Sequence, residues 1–161
     1  MGNISTAGNL SLYSFTEGAA DEGMPNLTSG DENVAIGDEA LKANTSGSNN
    51  TAIGDEALKS NTSGSDNTAI GKNSLYTNTS GSKNVAIGVE ALKFNRTGTN
   101  NVAIGFEALQ RNTTGQKNVA IGAQSGYSNT TGVQNTSVGH EALEANTTGY
   151  RNTALGDSSL K

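Results

Sequence analysis

The sequence is as informative for what it lacks as for what it contains: it has no cysteine, no tryptophan, one proline and one histidine among 161 residues. Without cysteine it cannot form disulfides or thiolate metal sites. With a single histidine it cannot form a two-histidine metal site within one chain. Leu, Ile, Val and Phe number only 28 residues, below the level typical of a globular core. Something other than a large apolar interior must therefore stabilise the fold.

Charge and hydropathy exclude further classes of protein. The net charge is −5 and Lys and Arg are not clustered, so we expect no nucleic-acid partner, since phosphate binding needs a basic face. Residues 1–12 lack the basic and apolar regions of a signal peptide, and no segment approaches the ~20 apolar residues of a membrane span. The sequence predicts no membrane insertion by this segment and no signal peptide in it.

A 17-residue repeat occupies most of the chain. Its first position is an asparagine in every copy, at Asn33, Asn50, Asn67, Asn84, Asn101, Asn118, Asn135 and Asn152. A second asparagine column follows at Asn44, Asn61, Asn78, Asn95, Asn112, Asn129 and Asn146. Repeats of this length indicate a solenoid. In a stack of strands about 4.8 Å apart, identical amides can bond one above another, so both columns predict structural ladders.

The repeat defines the predicted architecture. Residues 31–161 form eight repeats, the last incomplete, and residues 1–30 are predicted to be an N-terminal cap or connector. Val-Ala-Ile or Thr-Ala-Ile is the best strand candidate, because it is short, β-branched and bounded by Asn and Gly. The predicted fold is all-β, a β-solenoid or β-roll.

Repeat positions that keep their character predict the core and the contacts. Position 4 is always a large aliphatic residue, which predicts the core: Ile36, Ile53, Ile70, Ile87, Ile104, Ile121, Val138 and Leu155. Position 3 is small and apolar on the opposite side of the strand, which predicts a contact between chains at Ala35, Ala52, Ala69, Ala86, Ala103 and Ala120. Glycines at positions 5 and 15 are expected to turn with positive φ. The stretch Gly-x-Glu-Ala-Leu-Lys fits either a short helical turn or a second extended side.

Three patterns have a functional reading beside a structural one. The second asparagine column, as in Asn44-Thr45-Ser46, meets the glycosylation pattern, but the repeat explains the same letters. Acidic residues such as Glu39 and Glu56 could hold a divalent cation, but lysines three residues later favour a solvated face. His140 shares its position with Asp38 and Phe106, so we expect an outward residue. We predict no enzymatic activity and no cofactor or metal.

The string Asn84-Val85-Ala86-Ile87-Gly88 and its counterparts in residues 33–161 resemble the head repeats of YadA-type trimeric autotransporter adhesins. Related arrays occur in phage tail fibres. The resemblance implies a homotrimeric left-handed β-roll that binds a host surface or extracellular matrix, located on a bacterial surface, outside the cell or on a virion. The family's unit is shorter, so each coil here must contain an extra turn or side.

The functional expectation is a structural or adhesive rod segment whose main partner is itself, as a homotrimer. Variable outward residues, including Tyr76, Phe94, Phe106, Tyr127 and Tyr150, are expected to form the contact surface. Two alternatives remain open from the sequence. Rows of Thr and Ser at positions 13 and 14 could bind ice, and an open terminal edge could make the chain the subunit of a self-assembling filament.

Overall fold

A computed structural model describes residues 3–4, 8, 10–12, 26 and 28–161. They form one ten-stranded sheet whose strands follow one another in chain order. The strands are β1 Asn3–Ile4, β2 Leu10–Leu12, β3 Val34–Ile36, β4 Thr51–Ile53, β5 Thr68–Ile70, β6 Val85–Ile87, β7 Val102–Ile104, β8 Val119–Ile121, β9 Thr136–Val138 and β10 Thr153–Leu155.

The strands from β3 to β10 are parallel and in register, each one repeat away from the next. Ala35 pairs with Ala52 and Ala52 with Ala69, an offset of 17 residues that continues to Ala154 opposite Ser137. The predicted all-β solenoid is confirmed. We number its coils 1 to 8 from their first asparagine, so that coil 1 begins at Asn33 and coil 8 at Asn152.

The predicted cap or connector at 1–30 lies largely outside the described residues. Within it, β2 pairs in parallel with β3, so the sheet continues past the first repeat. Strand β1 pairs with β2 in the antiparallel direction. The direction of pairing therefore reverses at this end of the sheet.

The stretch Gly-x-Glu-Ala-Leu-Lys is neither of the two predicted forms, and the part of the chain described here contains no helix. It folds into successive turns. In coil 1, the Ala40 N–H donates to Gly37 O at 3.4 Å, Lys42 N–H to Glu39 O at 3.2 Å and Asn44 N–H to Leu41 O at 3.0 Å. Glu39 and Leu41 have φ of 53° and 54°, as the third residue of a type II turn requires.

In both glycine columns the backbone of the next coil comes too close for a side chain, and the first column also has positive φ. Gly71, at position 5, has φ of +128°, and a Cβ there would lie 2.6 Å from Gly88 O of the next coil. Gly47, at position 15, does not have positive φ, so that expectation was wrong. A Cβ on Gly47 would lie 2.6 Å from Asn44 Oδ1 and closer still to Gly64 O of the next coil. Glycine at position 15 is needed because the backbone approaches the asparagine ladder too closely for a side chain.

The predicted core is on the wrong side of the strand. The middle residue of each strand is buried, and the two flanking residues point outward and keep partial or full exposure. The coil is too narrow for isoleucine, because its inner side is already filled by position 8 and by leucines such as Leu41 and Leu58, which are 0% exposed. The residues wrongly assigned to the core are Ile36, Ile53, Ile70, Ile87, Ile104, Ile121, Val138 and Leu155.

The predicted contact between chains at the strand alanines is also wrong. These side chains are at most 1% exposed within a single chain, so no partner can reach them. Pleating explains both errors together, since residues flanking an inward alanine must point outward. The alanines that belong to the core are Ala35, Ala52, Ala69, Ala86, Ala103 and Ala120.

One coil interrupts the column of core leucines. Gly126 occupies the leucine position in coil 6, and the Ser125 hydroxyl donates to Ser137 Oγ at 2.7 Å beside it. The buried apolar residues consequently separate into two clusters. One extends from Ala35 to Ala120, and the other contains Ala142, Leu143 and Ala154. Coils 7 and 8 therefore share no continuous apolar core with coils 1 to 5.

Candidate functional site

The first asparagine column forms a continuous buried ladder. Asn50 Nδ2 donates to Asn33 Oδ1 at 3.1 Å, and the Asn50 backbone N–H donates to the same oxygen at 3.0 Å. The arrangement repeats through Asn67, Asn84 and onward to Asn152. Each amide thus joins a side chain and a backbone group of neighbouring coils. The predicted ladder is confirmed.

The second column forms a parallel ladder joined to the first. Asn61 Nδ2 donates to Asn44 Oδ1 at 2.9 Å and to Gly64 O at 3.0 Å. Asn50 Nδ2, from the first ladder, donates to the same Gly64 oxygen at 2.9 Å. In coils 1 to 6, a glycine carbonyl therefore ties the two ladders together.

The asparagines that match the glycosylation pattern are buried within the second ladder. Asn44 and Asn61 are 0% exposed and both bond through their side-chain amides. A glycan on either nitrogen would have to displace those bonds and enter the core. The structural interpretation of these asparagines is therefore favoured.

The outward sides of the eight parallel strands form what we call the strand face. It contains positions 2 and 4 of every coil and carries no charged residue. Most of its side chains are half-buried, but Ile121 is 39% exposed and Leu155 is 77% exposed. Its position 2 residues are Val34, Thr51, Thr68, Val85, Val102, Val119, Thr136 and Thr153, beside the aliphatic position 4 residues named above.

Next to the strand face, one glycine away along each coil, lies position 6, which we call the corner column. Its residues are Asp38, Asp55, Lys72, Val89, Phe106, Ala123, His140 and Asp157. Four polar members form two pairs along the column: Lys72 Nζ is 2.7 Å from Asp55 Oδ2, and His140 Nδ1 is 3.1 Å from Asp157 Oδ1. Val89 is 44% exposed and Phe106 51% exposed. The column is thus apolar in the middle and polar toward both ends.

The acidic residues at position 7 form a row of ion pairs. Glu39 bonds Lys42 at 2.5 Å and also pairs with Lys59, which bonds Glu56 at 2.6 Å. Hydrogen bonds from Lys42 and Lys59 lower the pKa of Glu39, and the carboxylates of Glu39 and Glu56 raise the pKa of Lys59. Among the residues described, no group of three His, Cys, Asp or Glu side chains could hold a metal ion. The lysine-neutralised face is favoured over a cation site.

The threonine row at position 13 is built into the backbone. The Thr45 hydroxyl donates to Thr62 O at 2.8 Å, and the Thr62 hydroxyl donates to Thr79 O at 2.9 Å. Thr113 and Thr130 do the same in later coils. Because these hydroxyl protons bond the next coil, they are not available to order water at the surface. This observation counts against ice binding through the position 13 row.

The outward aromatic residues differ in exposure. Phe94 and Tyr150 are 41% and 67% exposed. Tyr76 and Tyr127 are half-buried, with Lys59 Nζ 5.5 Å from the first ring and Arg111 Cζ 5.1 Å from the second. A cation this close to the face of an aromatic ring makes a favourable cation–π interaction with it. Lys93 Nζ is likewise 5.5 Å from the Phe94 ring, so a cation lies over three of these five aromatic side chains, whereas Phe106 and Tyr150 are the most exposed.

Comparison with known proteins gives no assignment: no family model, curated protein or solved structure matches this chain. Among the described residues, no helix is long and apolar enough to cross a membrane. The candidate site therefore rests on geometry. Sequence reasoning missed the strand face, because the constant sizes at positions 2 to 4 do not by themselves say which of these residues points inward.

Proposed function

We propose that this chain is a non-enzymatic structural and adhesive rod segment, and that copies of it assemble through their strand faces into a homotrimer. One observation carries the proposal. An outward surface extends through all eight coils without a single charged residue. Contiguous apolar surfaces of this kind mark sites of interaction with other molecules.

The repeat spacing favours a second copy of the chain as the partner. Branched side chains recur on the strand face at every strand, about 4.8 Å apart. A partner must carry apolar groups at the same spacing to contact all of them. Another copy of this solenoid has the same spacing because it has the same repeat. A globular partner would match the side chains of only a few strands.

The size of the strand face favours three copies. Strands of three residues make it about 10 Å wide, and eight coils make it about 38 Å long. The resulting area, about 400 Å², is half of the ~800 Å² that each partner contributes to a stable pair. Packing about a threefold axis lets each chain contact two neighbours, so that surface beside the strand face, such as the corner column, is buried as well.

The remaining features fit a rod. Two buried asparagine ladders connect the coils, and together with the backbone bonds they hold the coils at a fixed spacing. Exposed residues away from the strand face, such as Phe94 and Tyr150, would contact a host surface or matrix. This proposal agrees with the resemblance to trimeric adhesin heads and phage tail fibres, and it places the chain on a bacterial surface or a virion.

Mass in solution tests the assembly. Light scattering and sedimentation should give three times the chain mass of 16.3 kDa, independent of concentration above the dissociation range. A monomer across the whole range would remove the proposal. A mass that keeps growing with concentration would replace the trimer by a filament.

Double substitutions that introduce two carboxylates test whether the strand face is the interface. Ile87→Asp with Ile104→Asp places carboxylates on the strand face and should yield folded monomers, because both side chains point outward in the single chain. Ser63→Asp with Ser80→Asp, at exposed position 14, is the matched control and should remain trimeric. Circular dichroism checks that both variants keep their fold. A trimeric strand-face variant would show that assembly uses another surface.

A further inference from the structure

We infer that coils 4 to 6 are the energetic centre of the contact between copies, with Phe106 as its anchor. This inference rests on the proposed assembly through the strand face. It goes beyond that proposal because the strand face is nearly uniform along the rod, whereas the two features described next coincide only in its middle.

Two independent columns become apolar in the same coils. At position 2, Val85, Val102 and Val119 are consecutive; of the other coils, coil 1 carries valine and coils 2, 3, 7 and 8 carry threonine. At the corner column, Val89, Phe106 and Ala123 occupy the same three coils. Positions 2 and 6 flank position 4 on either side, so the apolar surface is widest in coils 4 to 6.

Exposure agrees with this placement. Val89, Phe106 and Ile121 are 44%, 51% and 39% exposed in the single chain. A contact that covers the strand face and its corner removes these side chains from water. Phenylalanine contributes the largest apolar area of the three, and aromatic residues dominate the energetics of protein interfaces.

The surrounding charges have the arrangement of an interface rim. On one side of the apolar centre, Lys72 pairs with Asp55 at 2.7 Å, and on the other His140 contacts Asp157 at 3.1 Å. Stable interfaces commonly have an apolar core inside a polar rim. These rim side chains already have polar partners within their own chain, so these contacts need not be broken when copies meet.

The test compares two exposed phenylalanines. Phe106→Ser should raise the concentration at which the assembly dissociates by at least about tenfold, which corresponds to about 1.4 kcal/mol. Phe94→Ser is the matched control, because Phe94 is 41% exposed but lies at position 11, away from the strand face. Its dissociation should equal that of the unchanged chain. Sedimentation at a series of concentrations measures all three proteins.

Each outcome is decisive. If the unchanged chain assembles but Phe106→Ser and Phe94→Ser behave alike, the energetic centre lies elsewhere and the proposed assembly stands. If the unchanged chain is a monomer, both proposals are wrong. If Phe106→Ser does not fold, Val89→Ser should weaken assembly instead, and Lys72→Val should strengthen it by extending the apolar centre; unchanged dissociation in both overturns the inference.

Discussion

The two sides of each three-residue strand reverse the usual relation between size and burial. In β6, the small Ala86 is 0% exposed, while the larger Val85 and Ile87 point outward and are only half-buried. The interior is filled instead by alanine, one leucine and two asparagines in most coils. The difference teaches that hydrogen-bonded amides, stacked in register, replace much of the apolar volume that a globular core would need.

Substitutions in the buried asparagine ladder should lower the free energy of unfolding the most. Asn78 donates to Asn61 Oδ1 and to Gly81 O, both at 2.9 Å. Asn78→Asp removes both donors and buries a carboxylate against two oxygens. Because each unsatisfied buried group costs about 1–3 kcal/mol, we expect a loss of at least about 3 kcal/mol in the free energy of unfolding, measured by denaturant titration.

The control for that change is Asn100→Asp. Asn100 is exposed and has φ of 58°, a conformation that aspartate tolerates. The same chemical change should cost little there. Equal losses at the two positions would show that the buried ladder is not the source of stability.

Overfilling the inner side should have the next largest effect. Ala86 pairs in register with Ala69 and Ala103, and all three are fully buried. Ala86→Leu should destabilise the fold by about 1–3 kcal/mol or more, because extra methyl groups in a packed core force neighbouring atoms apart. Ile87→Leu, on the outer side of the same strand, should change thermal stability much less. If Ala86→Leu does not lower the stability, the interior of the coil must be wider than the structure shows.

Changing the ion-pair row should have the smallest effect. Glu39→Gln should cost no more than about 1 kcal/mol, as is usual for partly exposed pairs. Hydrogen bonds from Lys42 and Lys59 lower the pKa of Glu39. The stabilisation is therefore complete above the pKa of the unfolded chain and lost as pH falls through the lower folded pKa. The stability difference from the unchanged chain should shrink in acid.

The matched control for the ion-pair row is Glu107→Gln. Glu107 occupies the same repeat position but accepts a hydrogen bond from the neutral Gln124 amide at 2.8 Å. We expect a smaller loss there at neutral pH. Equal losses in urea titrations of the two variants would show that the lysines near Glu39 add nothing.

The repeat was sufficient to predict the architecture. A constant offset between Asn33, Asn50 and Asn67 leaves in-register stacking as the simplest way to bury every copy alike, so strands and ladders follow from sequence. The same residues also predicted that the second asparagine column is structural. These features could be predicted because each depends on contacts between equivalent residues of adjacent coils, and those residues are the same in every repeat.

The sidedness and the turns could not be predicted by the same reasoning. Conserved size at Ile87 and Ala86 marks both as constrained but does not say which points inward, because the width of the coil is a property of the whole turn. Leu92 has φ of 51°, a conformation that costs leucine roughly 1–2 kcal/mol. Only its complete burial explains why leucine is retained there, and burial is not visible in one copy of the repeat.

Thiol accessibility tests the central claim most directly, because the chain has no cysteine of its own. In folded Ala86→Cys the new thiol should resist a small thiol reagent until the protein is unfolded. Ser137, in the same column, shows that a side chain with one heavy atom beyond Cβ fits there. In folded Ile87→Cys the thiol should react, or form a disulfide with a second copy. A protected thiol at position 87 with no such disulfide, together with a reactive one at position 86, would contradict the inside and outside assigned here.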